Sequence, residues 1–204
     1  NRIKVEEMVS YLENISEKEG LQYERDALNI IAQKADGAMR DALSIYDQVV
    51  SFSGQNLNYQ HVIENLNVLD YDYYFRLTDA FMEGNYSEAL LIFNEILEKG
   101  FDAFQFINGL SKHLRDLLVC KDAETIDLLD VGAEIKQKYR EQSSKTAVDL
   151  LIKALNVLNQ YAVTYRTSMN QRLHIELAMI DLCNLDKTKK KDQTDTEKIN
   201  SKVE

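Results

Sequence analysis

Proline and tryptophan are absent from this sequence of 204 residues, and glycine occurs only seven times. Proline fixes the backbone and lacks an amide donor, so a chain without it favours uninterrupted helices. The two cysteines, Cys120 and Cys183, each lie in an apolar helical pattern, which predicts buried thiols in a reducing compartment. No signal peptide and no apolar run of membrane-spanning length is present, which predicts a cytoplasmic protein without membrane contact.

Positive charge is also scarce. The chain has 24 lysines and arginines against 34 aspartates and glutamates, a formal net charge of −10. A surface that follows the phosphate backbone of a nucleic acid needs concentrated lysine and arginine. The sequence therefore predicts that any contact with DNA is indirect.

Motifs for nucleotide hydrolysis and metal binding are missing as well. The phosphate-binding loop G-x-x-x-x-G-K-[ST] is absent, as is an acidic strand end that could hold magnesium. The histidines are scattered, and His174-Ile175-Glu176 matches only the first half of a zinc deaminase signature. We therefore expect no enzyme activity, cofactor or metal in this chain alone.

Apolar residues recur at helical spacing along most of the chain, and no stretch alternates with the period of a strand. This pattern predicts an all-α protein without a sheet. Gly100 predicts the end of one helix and Asp102 the N-cap of the next. Two helical domains are predicted, at residues 1–69 and 70–185. Residues 186–204 are too polar to offset the entropy of ordering and are predicted to be disordered.

The most informative stretch runs from Gly37 to Ser44 and reads Gly-Ala-Met-Arg-Asp-Ala-Leu-Ser. Asp36 is predicted to cap a helix here, because its carboxylate can accept the unpaired amide hydrogens of the first turn. A buried apolar stripe is predicted from Met39, Ala42, Leu43, Tyr46 and Val50. Arg40 lies beside this stripe, where its guanidinium is a donor fork suited to a carboxylate or a phosphate. The alternative interpretation is a solvated surface arginine.

This stretch, with the following Ile-Tyr-Asp-Gln, resembles the sensor 2 motif of the bacterial DNA polymerase III gamma/tau family, whose members are AAA+ clamp loader subunits. The family pattern is G-[SA]-[LM]-R-D-A-L-S, followed by a short run that ends in Asp-Gln. The resemblance implies that Arg40, with Met39 beside it, contacts the phosphates of ATP held by a preceding domain. Gly37 and Asp41 are implied to support the motif.

The same resemblance implies an AAA+ lid domain at residues 1–69 and, more loosely, a helical collar domain at residues 70–185. It implies a role in sliding-clamp loading, in which the lid couples ATP binding to loading and the collar assembles the ring. The implied partners are gamma/tau, delta and delta-prime subunits, with the clamp and primer-template DNA contacted only indirectly. ATP and magnesium belong to a full-length ATPase subunit of the polymerase holoenzyme. A chain that begins Asn-Arg-Ile is expected to be an excised fragment or a processed product, without the nucleotide-binding core.

Two alternatives remain from the sequence. Residues 84–90 resemble the start of a tetratricopeptide repeat helix, which would suit a helical-repeat adaptor that binds a peptide in a groove. The pattern does not recur 34 residues later, as such a repeat requires. The other alternative is the lid of a different AAA+ replication or recombination ATPase.

Overall fold

The computed structural model describes residues 2–185. The predicted disordered tail, residues 186–204, lies outside the described residues. Within them the chain is almost entirely helical, which confirms the all-α prediction. The α-helices of this part are α1 (Val5–Glu19), α2 (Arg25–Lys34), α3 (Met39–Ser53), α4 (Tyr59–Asn65), α5 (Tyr71–Glu83), α6 (Tyr86–Glu98), α7 (Ala103–Val119), α8 (Ala133–Lys145), α9 (Val148–Thr164) and α10 (Gln171–Asn184).

Two very short strands, β1 (Gln22–Tyr23) and β2 (Asn56–Leu57), pair in parallel. The prediction that no sheet forms is therefore wrong at this point. A strand of two residues is too short to show a period of two, and its partner lies 34 positions away in the chain. The pair is extended by Glu24, whose N–H donates to the carbonyl of Leu57 at 2.9 Å.

The chain forms two compact units. The first comprises residues 1–70 and 122–141, and the second comprises residues 71–121 and the described residues from 142 onward. The predicted second domain, residues 70–185, includes residues 122–141. That division into domains stays a prediction. Their packing with the first unit is visible at Gln33, whose side-chain amide donates to the carbonyl of Asp130 at 2.6 Å.

The first unit is built on α1 to α4, whose apolar stripes face one another. Each helix is amphipathic, so burial of its apolar face supplies the main stabilisation. The fully buried side chains of this core include Met8, Val9, Leu12, Ala27, Leu28, Ile31, Ala42, Val49 and Val62.

The second unit has an aromatic core between α5, α6 and α7. The rings of Phe93 and Phe106 lie 5.2 Å apart, and Tyr74 stacks on Phe106 at 6.2 Å. Gly109 makes room for Tyr74 in the middle of α7, because a Cβ at this position would lie 2.0 Å from the Tyr74 hydroxyl oxygen. The predicted turn between α6 and α7 is confirmed: Gly100 has a φ of 84°, and Asp102 accepts a capping hydrogen bond from the Gln105 amide at 2.9 Å.

Both cysteines were expected to be buried. Cys183 is buried, whereas Cys120 is half-buried, and the two form no disulfide. Among the described residues, no helix is long and apolar enough to cross a membrane.

His113 lies at the centre of the second unit and is 1% exposed. Its ring meets Phe75 edge-on at 4.8 Å, and its Nε2 donates to the side-chain oxygen of Gln142 at 3.3 Å. The amide nitrogen of Gln142 donates in turn to the Phe75 carbonyl at 2.8 Å and to Asp79 at 2.7 Å. Burial disfavours the imidazolium and lowers the pKa of His113 to about 3.

This shift predicts acid sensitivity. In the unfolded chain the His113 imidazole is protonated below its ordinary pKa of 6.5. In the folded protein it is protonated only below its lowered pKa of about 3. The free energy of unfolding should therefore fall as the pH drops below 6.5, by up to about 1.4 kcal/mol per pH unit. Urea unfolding at pH 7 and pH 5 measures the effect. His113→Gln should flatten the pH dependence, whereas His174→Gln should retain it, and equal slopes in the two variants would contradict the assignment.

Candidate functional site

The site begins at a left-handed turn between α2 and α3. Asp36 and Gly37 have φ values of 48° and 88°, so the chain leaves the helical conformation here. The prediction that Asp36 caps α3 is therefore wrong. The N-cap residue is Ala38, whose side chain accepts no hydrogen bond, and α3 begins at Met39. The Asp36 carboxylate instead accepts a hydrogen bond from Arg2 Nη2 at 2.6 Å.

The segment before α1 packs onto this turn. The Ile3 amide donates to the Gly37 carbonyl oxygen at 3.1 Å. The Arg2 side chain covers Gly37, since a Cβ built at Gly37 would lie 2.8 Å from Arg2 Cγ. Gly37 is thus required both by its positive φ and by this close approach.

The apolar face of α3 holds the helix in the first unit. Ala42, Tyr46 and Val49 are buried, whereas Met39, Leu43 and Val50, which were predicted for the buried stripe, are only half-buried. The Tyr46 hydroxyl forms a hydrogen bond of 2.9 Å with the Ser16 hydroxyl on α1. Burial is the main cause of the raised pKa of Tyr46.

Arg40 is the second residue of α3 and is exposed. Within residues 2–185 its guanidinium makes neither a hydrogen bond nor an ion pair. Met39 beside it is half-buried, and Asp41 is an exposed acid in the first helical turn. Because no side chain caps α3, the positive end of the helix and the Arg40 donor fork are both available to an anion.

Sequence reasoning identified the residues that are near Arg40 in the sequence, but not those that are near it only in the folded structure. Gly37, Met39, Arg40 and Asp41 lie together because they are consecutive around one helix start, and their functional roles stay predictions. Arg2 was missed. The Asp-Gly pair signals a turn, yet nothing in the pattern indicates that a residue 34 positions earlier binds it.

Two known protein families match this chain, and one of them covers the turn before α3. Residues 7–55, which contain the whole turn and the start of α3, match the family described as the ATPase lid domain of the DNA polymerase III clamp loader subunit. Residues 57–196 match domain III of the DNA polymerase III subunits gamma and tau. The chain belongs to the DNA polymerase III gamma and tau subunit family.

Individual relatives agree with this membership. The chain is 30% identical to the DNA polymerase III subunit tau of Bacillus subtilis over 182 residues, which cover 89% of this chain and 32% of that protein. It is 26% identical to a DNA polymerase III subunit gamma of Buchnera aphidicola over 159 residues, covering 76% of this chain and 44% of the relative. The chain thus spans less than half of the length of each of these gamma and tau relatives.

A solved structure shows the same fold. The DNA clamp loader delta protein of Bacillus subtilis superposes with a TM-score of 0.54 at 15% identity, covering 90% of this chain and 57% of that protein. At this identity the likeness concerns the fold alone.

The tight turn before α3 yields a stability prediction. Gly37→Ala should lower the free energy of unfolding by about 1–3 kcal/mol, because it combines a positive φ with a clash against Arg2. Gly20→Ala is the matched control: its φ is 70°, but the space around it is open. Gly20→Ala should lower the free energy of unfolding only by the cost of a positive φ in a residue with a Cβ, about 1 kcal/mol. Equal losses in urea unfolding would show that the Arg2 contact contributes nothing.

Proposed function

We propose that this chain is the lid and collar region of a clamp loader subunit, and that Arg40 contacts the phosphates of ATP held elsewhere in the subunit. The observation that carries the proposal is Arg40 itself, exposed at the second position of an uncapped helix inside the matched lid segment. An arginine held by a rigid helix start contributes charge-assisted hydrogen bonds that differ between nucleotide states. Such a difference is what couples ATP binding to movement of the lid.

The residues present fit one end of a nucleotide. The Arg40 fork and the first amides of α3 are donors, which suit phosphate oxygens, and Asp41 is the acidic group that accompanies them in the first turn. Magnesium is proposed to bind elsewhere in the longer protein. Among the described residues, no group of three or more His, Cys, Asp or Glu side chains is arranged to hold a metal ion.

The second unit is proposed to join the other clamp loader subunits. Its helices expose apolar side chains one turn apart, Leu173 and Leu177 on α10 and Val148 and Ile152 on α9. Residues at this spacing are neighbours on a helix surface. Closed rings need two different contact patches on each subunit, and exposed stripes on two helices meet that need. The proposed partners are gamma/tau, delta and delta-prime subunits in the cytoplasm, with the clamp and DNA contacted indirectly.

The alternatives from the sequence are less well supported. A tetratricopeptide-like adaptor would not place a lid match directly before a gamma/tau domain III match. The lid of another AAA+ ATPase would not account for the match over residues 57–196.

The Arg40 contact is tested in the full-length subunit. Arg40→Ala should leave the unfolding free energy within about 0.5 kcal/mol of the parent, because the side chain is exposed. It should weaken ATP-dependent clamp loading about tenfold or more, the loss of a contact worth about 1.5–3 kcal/mol. Arg40→Lys should restore part of the activity, since lysine keeps the charge but not the fork. Lys34→Ala removes a nearby exposed cation as the control. The proposal would be wrong if the Arg40→Ala variant has the melting temperature of the parent and still loads clamps at the parental rate.

The assembly surface is tested on α10. Leu177→Asp places a charge on the exposed stripe and should reduce co-purification with the other loader subunits, because a buried unpaired carboxylate opposes association. Gln171→Asp adds the same charge to the same helix at a polar exposed position and should have little effect. Both variants should melt like the parent. Unchanged assembly of the Leu177→Asp subunit would remove this stripe from the interface.

A further inference from the structure

We propose that Arg2 is a positioning residue for Arg40. By holding Asp36 away from the start of α3, it sets the residue at which the helix begins. The inference deepens the proposed function, because it rests on Arg40 as the group that contacts nucleotide phosphates. It assigns a role to a contact that no sequence pattern reveals.

We compare two residues at which α3 can begin, Gly37 and Met39. In the first, Asp36 is the N-cap, Gly37 is the first helical residue, and the helix gains two residues. That start requires two groups: the Asp36 carboxylate, to accept from the amides of the first turn, and the Gly37 carbonyl, to accept from the Asp41 amide. Aspartate before an apolar helical pattern favours this arrangement.

In the second start, which the structure shows, both groups are bound by the segment before α1. Arg2 Nη2 donates to Asp36 Oδ2 at 2.6 Å, and the Ile3 amide donates to the Gly37 carbonyl at 3.1 Å. The Asp41 amide donates instead to the Ala38 carbonyl at 3.1 Å. The N-terminal segment and the longer helix thus compete for the same two acceptors.

The competition is finely balanced. The side chains of Arg2 and Asp36 are 77% and 73% exposed, and an exposed ion pair contributes little by itself. Asp36 also has a positive φ of 48°, which aspartate tolerates but does not prefer. A substitution that releases Asp36 therefore frees one of the two acceptors and shifts the population toward the longer helix.

The longer helix is unfavourable for an anion at Arg40. Arg40 becomes the fourth helical residue, and its amide is then bound by the Asp36 carbonyl. The Asp36 carboxylate occupies the first amides of the helix and brings a negative charge to the place where a phosphate would bind. Arg2 therefore keeps the helix end open for the ligand that Arg40 contacts.

The first experiment uses this chain without nucleotide and follows the Cα chemical shifts of Gly37 and Ala38 by NMR. Arg2→Ala should move both toward helical values. Arg2→Lys, which keeps the ion pair, should leave them close to the parent. Lys4→Ala removes an exposed cation two residues away and should change nothing. Unchanged shifts in Arg2→Ala would overturn the proposal whatever Arg40 does.

The second experiment measures ATP affinity in the full-length subunit. Arg2→Ala should weaken binding about fivefold, the population shift expected from one helix cap. Adding Asp36→Gly should restore the parental affinity, because glycine has no carboxylate and adopts a positive φ without strain. Lys4→Ala again serves as the control for the lost charge.

The outcomes separate the two proposals. If Arg40→Ala weakens ATP binding and Arg2→Ala does not, the positioning role fails and the proposed function stands. If Arg2→Ala weakens binding but Asp36→Gly does not restore it, Arg2 acts by another route and the positioning role is again overturned. If Arg40→Ala has no effect on ATP affinity, the proposed function fails, while the chemical shifts still report whether Arg2 sets the helix start.

Discussion

The left-handed turn at Asp36 and Gly37 is the constraint on which the candidate site depends. It ends α2, releases the chain from helical geometry and lets α3 start afresh at Met39. Without it the two helices would merge or be joined by a side-chain cap, and Arg40 would lie inside a helix. Only a residue without a Cβ fits at Gly37, because Arg2 covers that point of the backbone. The place of Arg40 in the first turn of α3 is thus a consequence of backbone geometry.

Burial of α3 makes that geometry rigid. Tyr46 is 1% exposed and its hydroxyl is hydrogen-bonded to the Ser16 hydroxyl on α1, so the helix cannot rotate without losing a buried hydrogen bond. Ser16 also donates to the Leu12 carbonyl one turn earlier. A rigid helix matters for Arg40, because an arginine on a mobile segment would lose much of its contact energy to ordering. The core of the first unit therefore contributes to the proposed site.

Sequence reasoning predicted the features that depend on neighbouring residues and missed those that depend on contacts between residues far apart in the chain. Helical periodicity correctly indicated an all-α chain, and Gly100 with Asp102 marked a helix end and the next N-cap, because these signals lie within a few residues of their effect. Asp36 was misassigned for the opposite reason: its carboxylate binds Arg2, whose place in the fold depends on tertiary packing. The β1–β2 pair was missed likewise, since two residues carry no period. The resemblance pointed to Arg40, but not to what holds it there.

The charge of the chain explains why the proposed contact must be local. At a formal net charge of −10, the long-range field repels a nucleotide or a nucleic acid. An anion can bind only where several donors converge at short range, since exposed charges are screened beyond about 8–10 Å at physiological ionic strength. The start of α3 offers such a place, with the Arg40 fork beside uncapped amides. A carboxylate placed on those amides would compete with the anion for the same donors, so the position of Asp36 bears directly on the proposed site.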